Sequence, residues 1–361
     1  MFNIHMLPAS FGDSMLIEYG PKGKQKYILI DGGPYYQFDE IATVLKEKVP
    51  MMKEIELLII THVDIDHIDG VIRLINHDPP LYRIKKVWFN NYDDLSYEEP
   101  EDLLGGVQGE YLGALLKKTK LNKNPKPITI HRKKSELKVA GGLILTVVNP
   151  TQKSLQDLVK DWDAHLKKQH LSHDEKKIWE ALNGDDRYEP LHEDMLGVDD
   201  ASIQAWAEKK IKEDKSAANR SSIAFIATYE GLSCLMTADA TSENLLENLK
   251  SLNLLDEFNT LSVDAWKLSH HGSKKSTQGY LTETIQTKKV LISSDGKRYR
   301  HPDKETIAKL LTHQEEALDI YFNYTSKYNK DWGTMDLGDE YNAAFHYPDE
   351  EGYMCVMLKE D

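Results

Sequence analysis

Between Leu57 and Gly70 the chain passes abruptly from an apolar run, Leu57-Leu58-Ile59-Ile60, to Thr61-His62-Val63-Asp64-Ile65-Asp66-His67-Ile68-Asp69-Gly70. The apolar run reads as a short, fully buried strand. The polar run reads as a loop at the carboxyl end of that strand, where α/β proteins place their sites. His62, Asp64, Asp66 and His67 fall within six positions and cannot share one face of a strand. They converge if the backbone coils tightly after Thr61. The carboxylates of Asp64, Asp66 and Asp69 repel one another unless a cation sits among them, so the stretch reads as a metal loop.

The same transition recurs along the chain. Residues 2–7 and 14–19 are strand-like and are joined by Ala9-Ser10-Phe11-Gly12-Asp13. Residues 27–30 form a strand ending in Asp31-Gly32-Gly33, and the glycines allow backbone to approach closely there. Further strands are expected at 87–90, 143–148, 223–229, 232–237, 263–268 and 289–292. The 232–237 strand runs into Asp239, and the 263–268 strand into Ser269-His270-His271-Gly272. Strands of one sheet that end together would pool Asp31, the His62 loop, Asp239 and the His270-His271 pair at one edge. Helices are expected to follow Asp39, to cover about 70–76 and 103–116, to open at Thr241 or Ser242, and to cover about 302–314.

Residues 152–217 change character. Leu155, Leu158, Val159, Trp162 and Leu166 fall at helical spacing, Ser172 and Glu175 make a capping box, Asp185 to Asp200 reads as an acidic loop, Asp199 or Asp200 can cap a third helix containing Ile203, Trp206 and Ile211, and no β pattern appears. The segment reads as a helical insertion in an α/β domain that otherwise spans 1–361. Both its ends start near the pooled groups, which makes it a candidate cap and a candidate surface for a partner protein.

Composition sets outer bounds. The 361 residues carry a formal net charge of −14, which argues against general nucleic-acid binding. The two cysteines, Cys234 and Cys355, exclude a disulfide scaffold and a Cys-rich zinc site and fit a reducing compartment. No secretory leader and no bilayer-length apolar run is visible, so the expectation is a cytoplasmic protein without membrane association.

His62-x-Asp64-x-Asp66-His67 resembles the metal signature of the metallo-β-lactamase superfamily. Asp64, where most members have His, resembles the ComEC-like branch, the type found as the nuclease domain of DNA-uptake proteins. Gly12-Asp13, Asp31, Asn219-Arg220-Ser221-Ser222, Thr237-Ala238-Asp239, the 267–273 run Lys-Leu-Ser-His-His-Gly-Ser and His301-Pro302 match further motifs in order. The resemblance implies a four-layer αββα sandwich holding two divalent metal ions, Zn²⁺ or Mn²⁺. It implies that His62 and Asp64 hold one metal and that Asp66, His67 and His271 hold the other, with Asp239 bridging. Asp13 and Asp31 would support the site. Two departures stand out. A third His to the first metal is replaced by Asn219 and Ser221, which would complete that site, and Ala238 stands where a glycine is usual. Two metals about 3.5–4 Å apart lower the pKa of a bridging water and clamp attacking and leaving oxygens. That chemistry suits a phosphodiester.

Local charge supports that substrate. Residues 115–138 hold nine Lys or Arg against one acid, and residues 267–309 hold ten against four. Lys274, Lys275 and Arg300 are candidate phosphate contacts. Asp66, His270 and His301 are the candidate catalytic groups. The leading expectation is a metal-dependent phosphodiesterase or nuclease acting on nucleic acid or another phosphodiester. The competing ones are a hydrolase of a small ester, thioester or lactam on the same fold, and a non-catalytic regulatory subunit.

Overall fold

A computed structural model describes residues 1–91, 106–121, 123–131, 136–168, 203–334, 337 and 341–360. In chain order the first strands are β1 (Phe2–Met6), β2 (Met15–Tyr19), β3 (Lys26–Ile30), β4 (Glu54–Ile55), β5 (Leu57–Ile59), β6 (Arg83–Ile84) and β7 (Val87–Trp88). They are followed by β8 (Glu136–Lys138), β9 (Ile144–Asn149), β10 (Ala224–Tyr229), β11 (Leu232–Met236), β12 (Leu261–Lys267), β13 (Ile285–Ile292), β14 (Leu318–Phe322), β15 (Ala343–His346) and β16 (Met354–Lys359). The helices are α1 (Phe38–Lys48), α2 (Ile65–Asn76), α3 (Gly106–Thr119), α4 (Gln152–Lys168), α5 (Ile203–Ala207), α6 (Ala217–Arg220), α7 (Ser242–Ser251), α8 (Gly279–Thr284) and α9 (Lys304–His313).

Two large sheets result. The first has the order β16-β1-β2-β3-β5-β7, the second β15-β14-β13-β12-β11-β10-β9-β8, and β4 pairs with β6 apart from both. Side-chain alternation decides the layers, because successive residues of a strand face opposite ways. Ile4, Met6, Ile17, Ile28, Ile30 and Ile59 of the first sheet meet Phe225, Ala227, Cys234, Met236, Ala265 and Leu291 of the second in one buried cluster. Leu16, Leu29 and Leu58, on the other face of the first sheet, bury against α1, α2, α3 and α4. Ile226, Leu235, Trp266, Val290 and Ile320, on the outer face of the second, bury against α7, α8 and α9. Helices, sheet, sheet and helices make the αββα sandwich that the sequence implied.

Three differences from the sequence reading matter for the site. The metal stretch is not all loop: α2 already starts at Ile65, with Asp64 in an extended N-cap conformation (φ −69°, ψ 142°). The Asp64 carbonyl accepts from the amides of His67 and Ile68 at 3.0 and 3.1 Å, so Asp66 and His67 project from the first helical turn. Second, the sequence marks 353–358 as strand-like without its partner: β16 completes the first sheet, pairing antiparallel with β1 from Phe2↔Lys359 to Met6↔Met354.

Third, the described ends of the 152–217 segment belong to the core. Leu155, Leu158 and Val159 of α4 are buried beside α2 and α3, and Trp206 and Ala207 of α5 are buried on the opposite helical layer. Helix α5 stops at Ala207, short of the expected Ile211. Residues 169–202, on which the expectations of a middle helix, an acidic loop and a cap fall, lie outside the described residues, as do 132–135 of the first basic run.

Among the described residues no helix is long and apolar enough to cross a membrane. Cys234 and Cys355 are unpaired.

Candidate metal centre

Tight backbone contacts seat the first turn of α2. A Cβ on Gly12 would lie 1.9 Å from the Asp66 carbonyl oxygen, and one on Gly70 would lie 1.8 Å from the Gly32 carbonyl oxygen. No other residue fits there. The Asp31-Gly32-Gly33 turn therefore presses against α2, while Gly32 N–H donates to the His67 carbonyl at 2.9 Å. From the second sheet, Asp239 follows β11 and His270 and His271 follow β12. Ala238, His270 and His271 hold left-handed backbone (φ 45°, 49° and 56°), as does Asp31 (φ 57°). Non-glycine residues pay strain in that region, and such residues cluster at functional sites. The conformation also accounts for the glycine implied at the Ala238 position.

Each of three histidines is oriented by what its Nδ1 meets. His67 Nδ1 lies 2.8 Å from Asp31 Oδ2. His62 Nδ1 lies 2.9 Å from Thr61 Oγ1. That hydroxyl donates to Asp31 Oδ2 at 2.6 Å, so it accepts from His62. His271 Nδ1 donates to the Ser293 carbonyl at 3.1 Å. With the Nδ1 positions so engaged, Nε2 is the atom that each ring would offer to a metal, the arrangement of metal-ligating imidazoles.

Those Nε2 atoms are buried with no hydrogen-bond partner, and so is Asp239 Oδ1. An orphaned buried polar atom costs about 1–3 kcal/mol, so four together call for a shared partner. His62 Nε2 lies 3.6 Å from Asp64 Oδ2 and 3.9 Å from Asp239 Oδ2. His67 Nε2 lies 4.0 Å from Asp66 Oδ2 and 3.5 Å from Asp239 Oδ1. His271 Nε2 lies 3.6 Å from Asp66 Oδ2 and 3.8 Å from Asp239 Oδ2. These separations are too long for hydrogen bonds and close to those of neighbouring donors around one cation. Asp239 faces both groups. The residues present fit two divalent ions, one at His62 and Asp64 and one at Asp66, His67 and His271.

Electrostatics agree. Burial works against ionisation of Asp239, yet the imidazoles of His270, His67 and His271 hold it well below the ordinary carboxylate range. Burial opposes a charged His271 too, but Asp13 and Asp239 raise it to about 9. Asp66 is held low, against burial, by His67 and His271. Without metal, His67 and His271 are biased toward their protonated forms. A cation would take that positive role.

Asp13 belongs to the same group: a ligand atom from each of Asp13, His67, Asp239 and His271 lies within 4.8 Å of the others. Its Oδ1 is 3.4 Å from Nδ1 of His271, however, on the far side of that ring from Nε2. Its Oδ2 makes a buried ion pair with Lys267 at 2.6 Å. Both contacts make Asp13 an orienting carboxylate.

The remaining sequence-predicted residues divide. Asn219 Nδ2 donates to Asp214 Oδ2 at 2.5 Å, and Asn219 Oδ1 is buried without a partner, available to the first ion. Ser221 is not: its hydroxyl donates to the Ala218 carbonyl at 2.7 Å. His270 Nε2 lies 3.7 Å from Asp239 Oδ2, and its ring stands 5.7 Å from that of His301. His301 is buried; burial lowers its pKa against the pull of Asp303. Lys274, expected at the substrate, pairs instead with Asp303 and Glu305 at 3.2 and 3.3 Å. Lys275 is exposed, and Arg300 is half-buried. Lys267 and Lys309 are buried and Lys297 pairs with Asp295 at 3.5 Å, so much of the second basic run is spent internally. Sequence reasoning missed Thr61 and Asp214. Thr61 adjoins the loop and was legible by position; Asp214 sits in a charged stretch with no pattern to mark it.

The chain is similar to known proteins over parts of its length. Residues 7–148 match the signature of the Metallo-beta-lactamase superfamily. ComE operon protein 3 of Bacillus subtilis (strain 168) is 29% identical over 116 residues, covering 32% of this chain and 14% of that protein's own length. Among solved structures, the CmlA beta-hydroxylase E377D mutant aligns with a TM-score of 0.43 at 11% identity, over 99% of this chain and 54% of that one.

Proposed function

We propose that this metallo-β-lactamase superfamily chain is a metal-dependent hydrolase of phosphodiesters, with nucleic acid as the leading substrate. One observation carries the reading: three buried Nε2 atoms and the carboxylates of Asp64, Asp66 and Asp239 converge in two sets that share Asp239. When bound, a pair of divalent ions makes a water acidic near neutral pH and draws charge from phosphoryl oxygens. The donor set of imidazole and carboxylate, with the Asn219 amide oxygen near the first position, suits Zn²⁺ or Mn²⁺.

The chain's own groups then have distinct tasks. Asp31 and Thr61 hold His67 and His62 in the tautomer that presents Nε2. Asp66, whose Oδ2 faces His67 and His271, is proposed to take a proton from the nucleophile on the carboxylate oxygen that holds no metal. His301, neutral near pH 7, offers a ring N–H to a leaving oxygen on the side of His270. The 152–217 segment, whose described ends pack into the core, is proposed as a cap or partner surface. Unpaired cysteines fit a cytoplasmic setting.

The test is a panel. Protein loaded with Mn²⁺ or Zn²⁺ is mixed with single-stranded DNA, RNA, a cyclic dinucleotide, a thioester and nitrocefin. Cleavage of a phosphodiester alone is expected. Turnover confined to the thioester or nitrocefin, or metal content below one per folded chain, would overturn the reading.

A further inference from the structure

Arg298 belongs to the second basic run and stands among aromatic rings near the metal edge. It makes no ion pair with a carboxylate among the described residues, and its Nε is buried without a hydrogen-bond partner. Its guanidinium lies over the ring of Phe11 at 4.9 Å and over that of Tyr299 at 5.4 Å. The rings continue in both directions. Phe11 meets Tyr299 edge-on at 5.6 Å and Tyr36 at 6.3 Å. Tyr299 lies nearly parallel to His301 at 6.3 Å, and His301 meets His270 beside Asp239. A row of rings thus runs outward from the metal edge.

Phe11 is buried beneath this row, whereas Tyr36 and Tyr299 are 43% and 44% exposed. Large aromatic rings left open to water beside a guanidinium with no carboxylate partner among the described residues are unusual for a purely structural cluster. Both tyrosines also belong to the reaction edge electrostatically. Burial raises the pKa of each; Asp66 raises that of Tyr299 further, and Asp295 with a smaller part from Asp66 raises that of Tyr36, while Arg298 works against both. Tyr36 is held by its hydroxyl, which donates to Ser10 Oγ at 3.0 Å, so its ring is fixed before any ligand arrives.

We infer that Tyr36, Tyr299 and Arg298 form a stacking and phosphate-holding platform for single-stranded nucleic acid, placing a base beside the metal centre. Exposed π-faces take any base, and a guanidinium takes the neighbouring phosphate; together they bind single strands with little sequence preference. A duplex keeps its bases stacked on each other and gains nothing from the rings. The inference rests on the phosphodiesterase reading for its biological sense, but binding tests it separately.

The experiment measures anisotropy of a fluorescein-labelled oligo-dT ten-mer, and of the same ten-mer without bases, on the full chain in Ca²⁺ without turnover metal. Wild type is expected to hold oligo-dT at least about tenfold more tightly than the abasic strand, the scale of one stacked base. The double variant Tyr36→Ala/Tyr299→Ala is expected to lose that ratio, and Arg298→Ala to weaken both strands and flatten the salt dependence by about one phosphate. Metal content and melting temperature of the variants establish that they are folded. Tyr36→Phe/Tyr299→Phe, which keeps the π-faces, is expected to retain the ratio. Equal binding of both strands by wild type, or an unchanged ratio in the double alanine variant, overturns the platform. A base-dependent affinity without cleavage in Mn²⁺ or Zn²⁺ upholds the platform and overturns the hydrolytic reading. Cleavage without base dependence does the reverse.

Discussion

Asp239 and Asp64 both approach His62, yet only Asp239 also approaches His67 and His271. Asp239→Ala is therefore expected to lose both metals on elemental analysis and Asp64→Ala about one; matching losses would show that Asp239 is not shared. A second residue-scale prediction lies far from the metals. His5 is buried on β1, with Nε2 3.2 Å from Glu18 and Nδ1 2.9 Å from the Tyr353 hydroxyl. Burial alone would lower its pKa, but hydrogen bonds with Cys355 and Glu18 raise it to about 9. The folded state thus holds a proton more tightly than the unfolded chain, whose histidines titrate near 6.5. The resulting stability, roughly 3 kcal/mol at most, is fully present below about pH 6.5 and disappears as pH rises through about 9. Urea midpoints of wild type and His5→Gln should differ most at pH 6 and converge by pH 10. Parallel curves across that range would remove the protonated His5 from the account.

Helix α2 and the turn after β3 depend on each other. Gly70→Ala places a methyl into the Gly32 carbonyl. Moving α2 away would carry Asp66 and His67 with it. Expected are a loss of about 1–3 kcal/mol and of the metal that these two residues hold, read by melting and elemental analysis together. The segment between α4 and α5 gives another test. Replacing 152–217 strips Leu155, Leu158 and Trp206 from two buried clusters and should leave little folded protein, whereas replacing only 169–202 by a Gly-Ser linker should keep wild-type melting and metal content. Equal damage from both would show that the middle carries structure. These elements also mark what the sequence could tell. Strand ends were legible because apolar runs stop at ionisable residues, as at His62, Asp239 and His270. The start of α2 was not, since Asp66 and His67 carry poor helix propensity, and the helix holds through tertiary seating on Gly12 and Gly32. Lys274 looked like a substrate contact because charge counts do not show that Asp303 and Glu305 fold back beside it.

At the scale of the whole molecule the proposed metals join two sheets: His62, Asp64, Asp66 and His67 come from the first, Asp239 and His271 from the second. Ions that bind only the assembled pair stabilise it by mass action. Chelation is expected to lower the melting temperature by roughly 5 °C or more; an unchanged melt would mean that the sheets need no ion to stay together. A cleft of about 790 Å³, lined in part by Asp256, Phe258, Asp264 and Lys288, opens at the opposite strand ends and holds none of these ligands. The pairing of β1 with β16 has a bearing on how a cell makes such a protein. Phe2 waits for Lys359, and at about 5–20 residues per second a ribosome needs roughly 20–70 s to travel between them. For that interval one edge of β1 is open to other chains, a hazard that holding factors cover. The same delay acts as a safeguard. The His62 loop emerges early, but Asp239 and His271 follow only after most of the chain has been made, so a nascent or prematurely released polypeptide carries half of the proposed centre and cannot act before the rest arrives.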